Sequence, residues 1–240
     1  MKYTLLALTM CAATVLAQTK SAPSAAPKAA APKAATKAKA AGPNLLNPST
    51  LNAKAPPVFL VKMNTTKGPI LIRVTKNWSP FGADRFYNLV RAGFFTDAPF
   101  FRVVKDFMAQ FGIPARPDVA NVWDDKTIFD ERPIQSNKRG MLSYGMASGV
   151  KNSRTTQIFI NTKNNDFLDS MGFAPFGEVI EGMDVVDMLY SAYGENSNDQ
   201  DGIRRGGKAF VDKTYPRLDR ILTAVIEPLP DDSQKNDAKK

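Results

Sequence analysis

The side chains best placed to do chemistry lie in the run Phe100-Phe101-Arg102-Val103-Val104-Lys105-Asp106-Phe107-Met108-Ala109-Gln110-Phe111-Gly112. If the run forms two strands, alternation puts Arg102 and Val104 on one face and Phe101 and Val103 on the other. Met108 and Gln110 then share a face, with Phe107 opposite unless a bulge rotates it. A guanidinium, an amide and a soft apolar side chain converge, which is hydrogen-bonding chemistry rather than proton transfer. An arginine snorkelling over a barrel rim gives the same pattern, so this segment alone leaves both readings open. Composition narrows the field, because the 240 residues include no His and a single Cys. Ser-His and Cys-His nucleophile pairs, a His base and a His-ligated metal are excluded. So are an internal disulfide and a Cys-cluster metal site. The expectation is no cofactor and no metal.

Further along come Gly140-Met141-Leu142-Ser143-Tyr144-Gly145-Met146, Thr155-Thr156-Gln157-Ile158-Phe159-Ile160-Asn161, and Phe167-Leu168-Asp169-Ser170-Met171-Gly172-Phe173-Ala174-Pro175-Phe176-Gly177-Glu178-Val179. Together with Phe-x-Arg-x-x-x-x-Phe-Met-x-Gln at 100–110, these motifs resemble a bacterial, exported cyclophilin-type peptidyl-prolyl cis-trans isomerase. The resemblance spans residues 58–227. It implies a closed eight-stranded antiparallel barrel capped by two helices, and isomerisation of X-Pro bonds in unfolded or secreted polypeptides. It places the catalytic arginine at Arg102 and the substrate-positioning glutamine at Gln110. The apolar wall of the proline pocket falls on Phe107, Met108, Phe159 and Leu168, with a second glutamine at Gln157. Phe167 stands where many eukaryotic members have Trp, and Phe173 where a His is frequent; both are expected to bind substrate. The loop 145–155 departs from the family pattern, and Met146 and Ala147 are its candidate backbone contacts.

Such chemistry suits the inventory. Rotation about an X-Pro bond breaks amide resonance, a barrier of about 18–20 kcal/mol. A guanidinium aimed at the prolyl nitrogen favours its lone pair as conjugation is lost, an interaction weaker in the planar ground state. No nucleophile or base is required.

The elements that must position these residues are mostly short strands. Val58 to Met63 and Ile70 to Val74 form a hairpin, followed by strands at 100–104, 107–112, 141–144, 157–161, 176–180 and 217–227. Ser79-Pro80 caps a helix with Ala83, Phe86, Tyr87 and Val90 on one side and Gly93 at its end. A second helix spans 183–192. Many strands and two helices predict an all-β barrel over 58–230. Gly194 to Tyr215 reads as a polar loop. Asp199-Gln200-Asp201-Gly202 hints at calcium, but the register would begin at Ser197 and end at Lys208, where Asp and Glu are needed.

The net charge of +9 is unevenly spread. Residues 1–57 hold seven lysines and no acid, leaving a charge of only +2 elsewhere. The folded part therefore makes no case for nucleic acid. Lys2, the apolar run Tyr3 to Leu16 and the Val15-Leu16-Ala17 site predict a signal peptide over 1–17. That run falls short of the ~20 residues that span a membrane, so no stable insertion is expected. Residues 18–57 are rich in Ala, Pro and Lys without an aromatic and read as a disordered linker; 231–240 is a charged tail. The expected location is the periplasm or cell envelope, the partners proline-containing polypeptides, and the state a monomer. A peptide-binding or chaperone module on the same fold would not need Arg102. An envelope scaffold would act through the basic arm instead.

Overall fold

The computed structural model describes residues 44–229. The expected signal peptide (1–17), residues 18–43 of the linker and the charged tail (231–240) lie outside the described residues. β1 (Val58–Thr65) and β2 (Gly68–Thr75) pair antiparallel, as their alternation predicts. Phe59, Val61 and Met63 of one strand and Ile70, Ile72 and Val74 of the other are buried in one core. The remaining strands are β3 (Ala98–Pro99), β4 (Arg102–Val104), β5 (Met108–Phe111), β6 (Met141–Tyr144), β7 (Ile158–Asn161), β8 (Pro175–Glu181) and β9 (Arg220–Glu227). Among the described residues these make a nine-stranded antiparallel sheet, ordered β3-β9-β1-β2-β8-β6-β7-β5-β4.

The mainly-β expectation holds; the closed eight-stranded barrel is corrected in detail. Of the strand expected at 100–104 only 102–104 forms, as β4 on β5, while the unpredicted β3 just before it pairs with β9, so that the two lie split at opposite edges of the sheet. Phe100 and Phe101 alone separate the two edges, so the chain spans at most ~11 Å between Pro99 and Arg102. The sheet therefore curls until its edges are neighbours, joined by the chain and not by a hydrogen-bonded ladder. Packing explains the split. Phe100 sinks into the main core, while Phe101 enters a second cluster with Ile113, Ile203, Val211 and Leu218.

Five helices, where two were expected, accompany the sheet among the described residues: α1 (Pro80–Arg91), α2 (Pro117–Trp123), α3 (Phe167–Ser170), α4 (Met183–Asp187) and α5 (Gln200–Thr214). α4 is shorter than the predicted 183–192. The segment read as a polar loop contains α5. Gly202, Gly206 and Gly207 hide it by lowering helix propensity, but burial of Ile203 and Val211 against Phe101 supplies what propensity does not. Gly207 takes φ 55° and kinks the helix, where a Cβ would lie 2.3 Å from the Ala115 carbonyl. The calcium-like Asp199 is its cap, accepting from the Gly202 N–H at 2.8 Å.

The linker boundary at Pro57 is also too late. The Leu45 carbonyl accepts from Trp123 Nε1 at 2.8 Å, and the Asn88 side chain bonds both N–H and C=O of Ala53. Leu45 and Leu51 pack on the core.

α1 buries Ala83, Phe86 and Val90 as its spacing predicts, with Leu89 buried beside them and Tyr87 only partly so, but its cap comes from elsewhere. The Glu131 carboxylate accepts from the N–H groups of Phe81 (2.7 Å) and Gly82 (3.2 Å) and from the Ser79 hydroxyl. Arg154 pairs with Glu131 at 3.0 Å, and its side chain is only 2% exposed. This buried pair fastens the end of loop 145–155 to the helix. Removing one partner strands the other charge. Arg154→Met is expected to cost about 3–5 kcal/mol in urea unfolding; a loss below about 1 kcal/mol would contradict the anchor.

Candidate active site

Three antiparallel pairings assemble the site. Arg102 of β4 lies opposite Gln110 of β5, Gln110 opposite Phe159 of β7, and Phe159 opposite Ser143 of β6. This rung faces away from the main core, because the alternate residues Val103, Ala109, Phe111, Ile158 and Ile160 fill it. Val104, Met108 and Asn161 form the next rung on the same face. Phe107 joins them by a turn: Asp106 takes φ 56° and brings Phe107 beside Met108.

The result is a groove of about 410 Å³. Phe107, Met108, Phe159, Leu168 and Phe173 line one part of it. Met108, Phe159 and Leu168 are buried together, and Phe173 meets Phe159 edge-on at 5.6 Å. Arg102, Gln110 and Gln157 supply the polar part, joined by Gln200, Arg204 and Asp124. Gly145, Met146 and Ala147 of the departing loop also reach the groove. Phe167 does not line it. It is 58% exposed and stacks on Phe107 at 6.2 Å, supporting that ring from outside.

A directed chain of hydrogen bonds orders the polar part. Arg102 Nη1 donates to Gln110 Oε1 (3.1 Å), Gln110 Nε2 to Gln157 Oε1 (2.9 Å), and Gln157 Nε2 to Gln200 Oε1 (2.7 Å). Arg204 Nη2 also donates to Gln200 Oε1 at 3.2 Å and Arg204 pairs with Asp124 at 2.8 Å. An arginine at each end can only donate, so each glutamine has one workable orientation. The other edge of Arg102 is held by Glu195, whose oxygens accept from Nε (2.7 Å) and Nη2 (2.6 Å). Hydrogen bonding from Arg102 holds the Glu195 carboxyl below its ordinary range, against a smaller effect of burial. What remains is a fixed cationic donor set beside an apolar hollow. That arrangement can seat a ring and polarise an adjoining amide.

The model for the family described as cyclophilin type peptidyl-prolyl cis-trans isomerase/CLD matches residues 60–205. The chain belongs to this family. It is 34% identical over 163 residues to a peptidyl-prolyl cis-trans isomerase of Acinetobacter baylyi, covering 62% of this chain and 82% of that one. It is 32% identical over 138 residues to peptidyl-prolyl cis-trans isomerase B of Escherichia coli, covering 54% and 83%. A crystal structure of a cyclophilin-type isomerase of Cryptosporidium parvum matches with TM-score 0.52 at 18% identity, over 72% of this chain and 99% of that one. At that identity the likeness shows the fold alone. The family and its curated relatives make this protein a peptidyl-prolyl cis-trans isomerase. Among the described residues no His, Cys, Asp and Glu cluster is placed to hold a metal, and no helix is long and apolar enough to cross a membrane.

Sequence reasoning missed Glu195, Gln200, Arg204 and Asp124, which come from segments outside the motifs. It also missed Asn137, a fully buried polar residue behind the groove. Asn137 Oδ1 accepts from Ser143 (2.8 Å) and Asn161 (3.3 Å), while its Nδ2 donates to Asp169 (2.7 Å) and to the Phe173 carbonyl (2.8 Å). It therefore ties β6 and β7 to the segment carrying Leu168 and Phe173. Burial pushes the Asp169 carboxyl up, but hydrogen bonds from Ser136 and Asn137 outweigh it and leave its pKa lowered. Asn137→Leu leaves these groups unpaired. It should cost about 1–3 kcal/mol in unfolding and raise KM for an X-Pro peptide. An unchanged KM in a folded variant would contradict the link.

Proposed function

We propose that this isomerase accelerates X-Pro rotation without covalent chemistry, with Arg102 assisting amide deconjugation over the apolar hollow. One observation carries the reading: Arg102, held by Gln110 at 3.1 Å, stands on the same outer face as Met108 and Phe159. The pyrrolidine ring packs against Met108, Phe159 and Leu168, and the preceding carbonyl rotates. As the C–N bond twists, the prolyl nitrogen regains its lone pair and accepts from the guanidinium. Gln110 fixes the guanidinium, and Gln157 fixes Gln110. Of the five N–H donors of Arg102, one on Nε and one on Nη2 are engaged by Glu195 and one on Nη1 by Gln110, so donors remain for substrate.

The substrates are proline-containing segments of unfolded or secreted polypeptides, and the enzyme assists their folding in the periplasm or envelope as a monomer. The signal-like residues 1–17 and the linker composition support this location. A relative's structure recorded in the presence of the dipeptide Ala-Pro supports the substrate class. The linker acts as a spacer and not as a nucleic-acid arm, since its lysines are interleaved with Ala and Pro and without aromatics.

Arg102→Ala should lower kcat/KM by about 10²-fold, as for loss of a transition-state donor. Near wild-type turnover by the folded variant would sink the assignment. No group in the proposed step changes protonation near neutrality: the chain has no His, and Glu195, with its pKa lowered, is ionised throughout. Activity on an X-Pro peptide should therefore be flat from about pH 6 to 8. A bell-shaped profile with an enzyme pKa in that window would show that a proton is being transferred.

A further inference from the structure

The segment read from sequence as a polar loop sends a carboxylate onto the arginine on which the reaction depends. We propose that Glu195 is a positioning residue for isomerisation, holding the Arg102 guanidinium in its working orientation. This deepens the reading of Arg102 given above and rests on it.

The placement of Glu195 begins with β4 at the edge of the sheet. Gly194 forms an antiparallel bridge to Val103, the residue after Arg102, and so covers that edge. It does so with φ 53°, a left-handed conformation that favours glycine. Glu195 follows and opens a short 3-10 turn, Glu195–Ser197. The turn is tied down at both ends, by Asn196 N–H to the Tyr193 carbonyl (2.9 Å) and Asn198 N–H to the Glu195 carbonyl (3.0 Å), with Ser197 fully buried between. The carboxylate is thus mounted on a fixed piece of backbone although its side chain is 59% exposed.

Its geometry separates positioning from competition. Both oxygens engage the Nε and Nη2 edge of Arg102, whereas Nη1 lies beside Gln110 and the Met108 sulfur. Glu195 therefore occupies the edge away from the proline hollow. The two-point pair fixes the plane of the guanidinium, and Gln110 fixes the remaining corner. An arginine without this pair would explore several rotamers, and ordering it would fall to the transition state. Five residues further on, Gln200 holds Gln157 at 2.7 Å, so one segment braces both members of the catalytic pair, Arg102 directly and Gln110 through Gln157.

The test is a double-mutant cycle on the full chain, with kcat and KM measured on an Ala-Pro peptide by NMR exchange. Glu195→Ala is expected to lower kcat about tenfold and leave KM within about twofold. In the Arg102→Ala background the same change should have no effect. The melting temperature of Glu195→Ala should match wild type, because the side chain is exposed. Unchanged or raised kcat in Glu195→Ala, with Arg102→Ala still impaired, overturns the proposal and leaves Arg102 in its role. Equal losses in both backgrounds also overturn it, because Glu195 would then act on something other than the guanidinium. Wild-type turnover in Arg102→Ala overturns the reading of the arginine and this proposal with it.

Discussion

The register of four neighbouring strands governs the rest of the molecule. Because Arg102, Gln110, Phe159 and Ser143 stand on one rung across β4, β5, β7 and β6, a cationic donor, its amide partner and an apolar platform meet without any long loop to bring them together. Side-chain direction alternates strictly along a strand, so a one-residue slip would send Val103, Ala109 or Ile158 outward and the site residues into the core. The barrel core therefore fixes the site as well as the fold. Phe111, Ile158 and Ile160 can be buried only if Gln110 and Phe159 face the groove.

Three supports hold what the rung leaves free. Glu131 and Arg154 fasten loop 145–155 to α1, so the stretch that leads into Gln157 starts from a rigid point. Asn137 joins the outer faces of β6 and β7 to Asp169 and Phe173, which sets the apolar wall. The segment 194–204 reaches over the edge of β4 and meets Arg102 and Gln157. Each support is polar and draws its partners from far along the chain. Their value lies in orientation, since a hydrogen bond contributes only about 0.5–1.5 kcal/mol net to stability.

Strand periodicity made only part of the site legible in the sequence, and the family resemblance carried the rest. Alternation alone put Arg102, Met108 and Gln110 on one surface, and eight of the nine residues singled out line the groove. Phe167 is the exception, because adjacency to Leu168 in α3 does not put both side chains on the same side of a helix. The turn that rotates Phe107 depends on a left-handed conformation at Asp106, which residue type only weakly encodes. α5 was hidden because three glycines depress its propensity and its apolar positions gain meaning only against Phe101, Ile113 and Leu218. Glu195 was illegible for a similar reason. It lies 93 residues from Arg102, and no local pattern carries such a pairing.

In the proposed mechanism the rotation needs no proton transfer and asks only for shape and a fixed dipole, and it is side chains that line this groove. The most direct measurement is two-dimensional NMR exchange on an Ala-Pro peptide with a small fraction of the protein, together with shifts of protein signals at high peptide. Cis–trans exchange is expected to be far faster than the uncatalysed tens to hundreds of seconds, with shifts concentrated at Met108, Gln110, Phe159 and Leu168. Exchange at the uncatalysed rate, or acceleration with those four signals unmoved, would contradict the proposed mechanism.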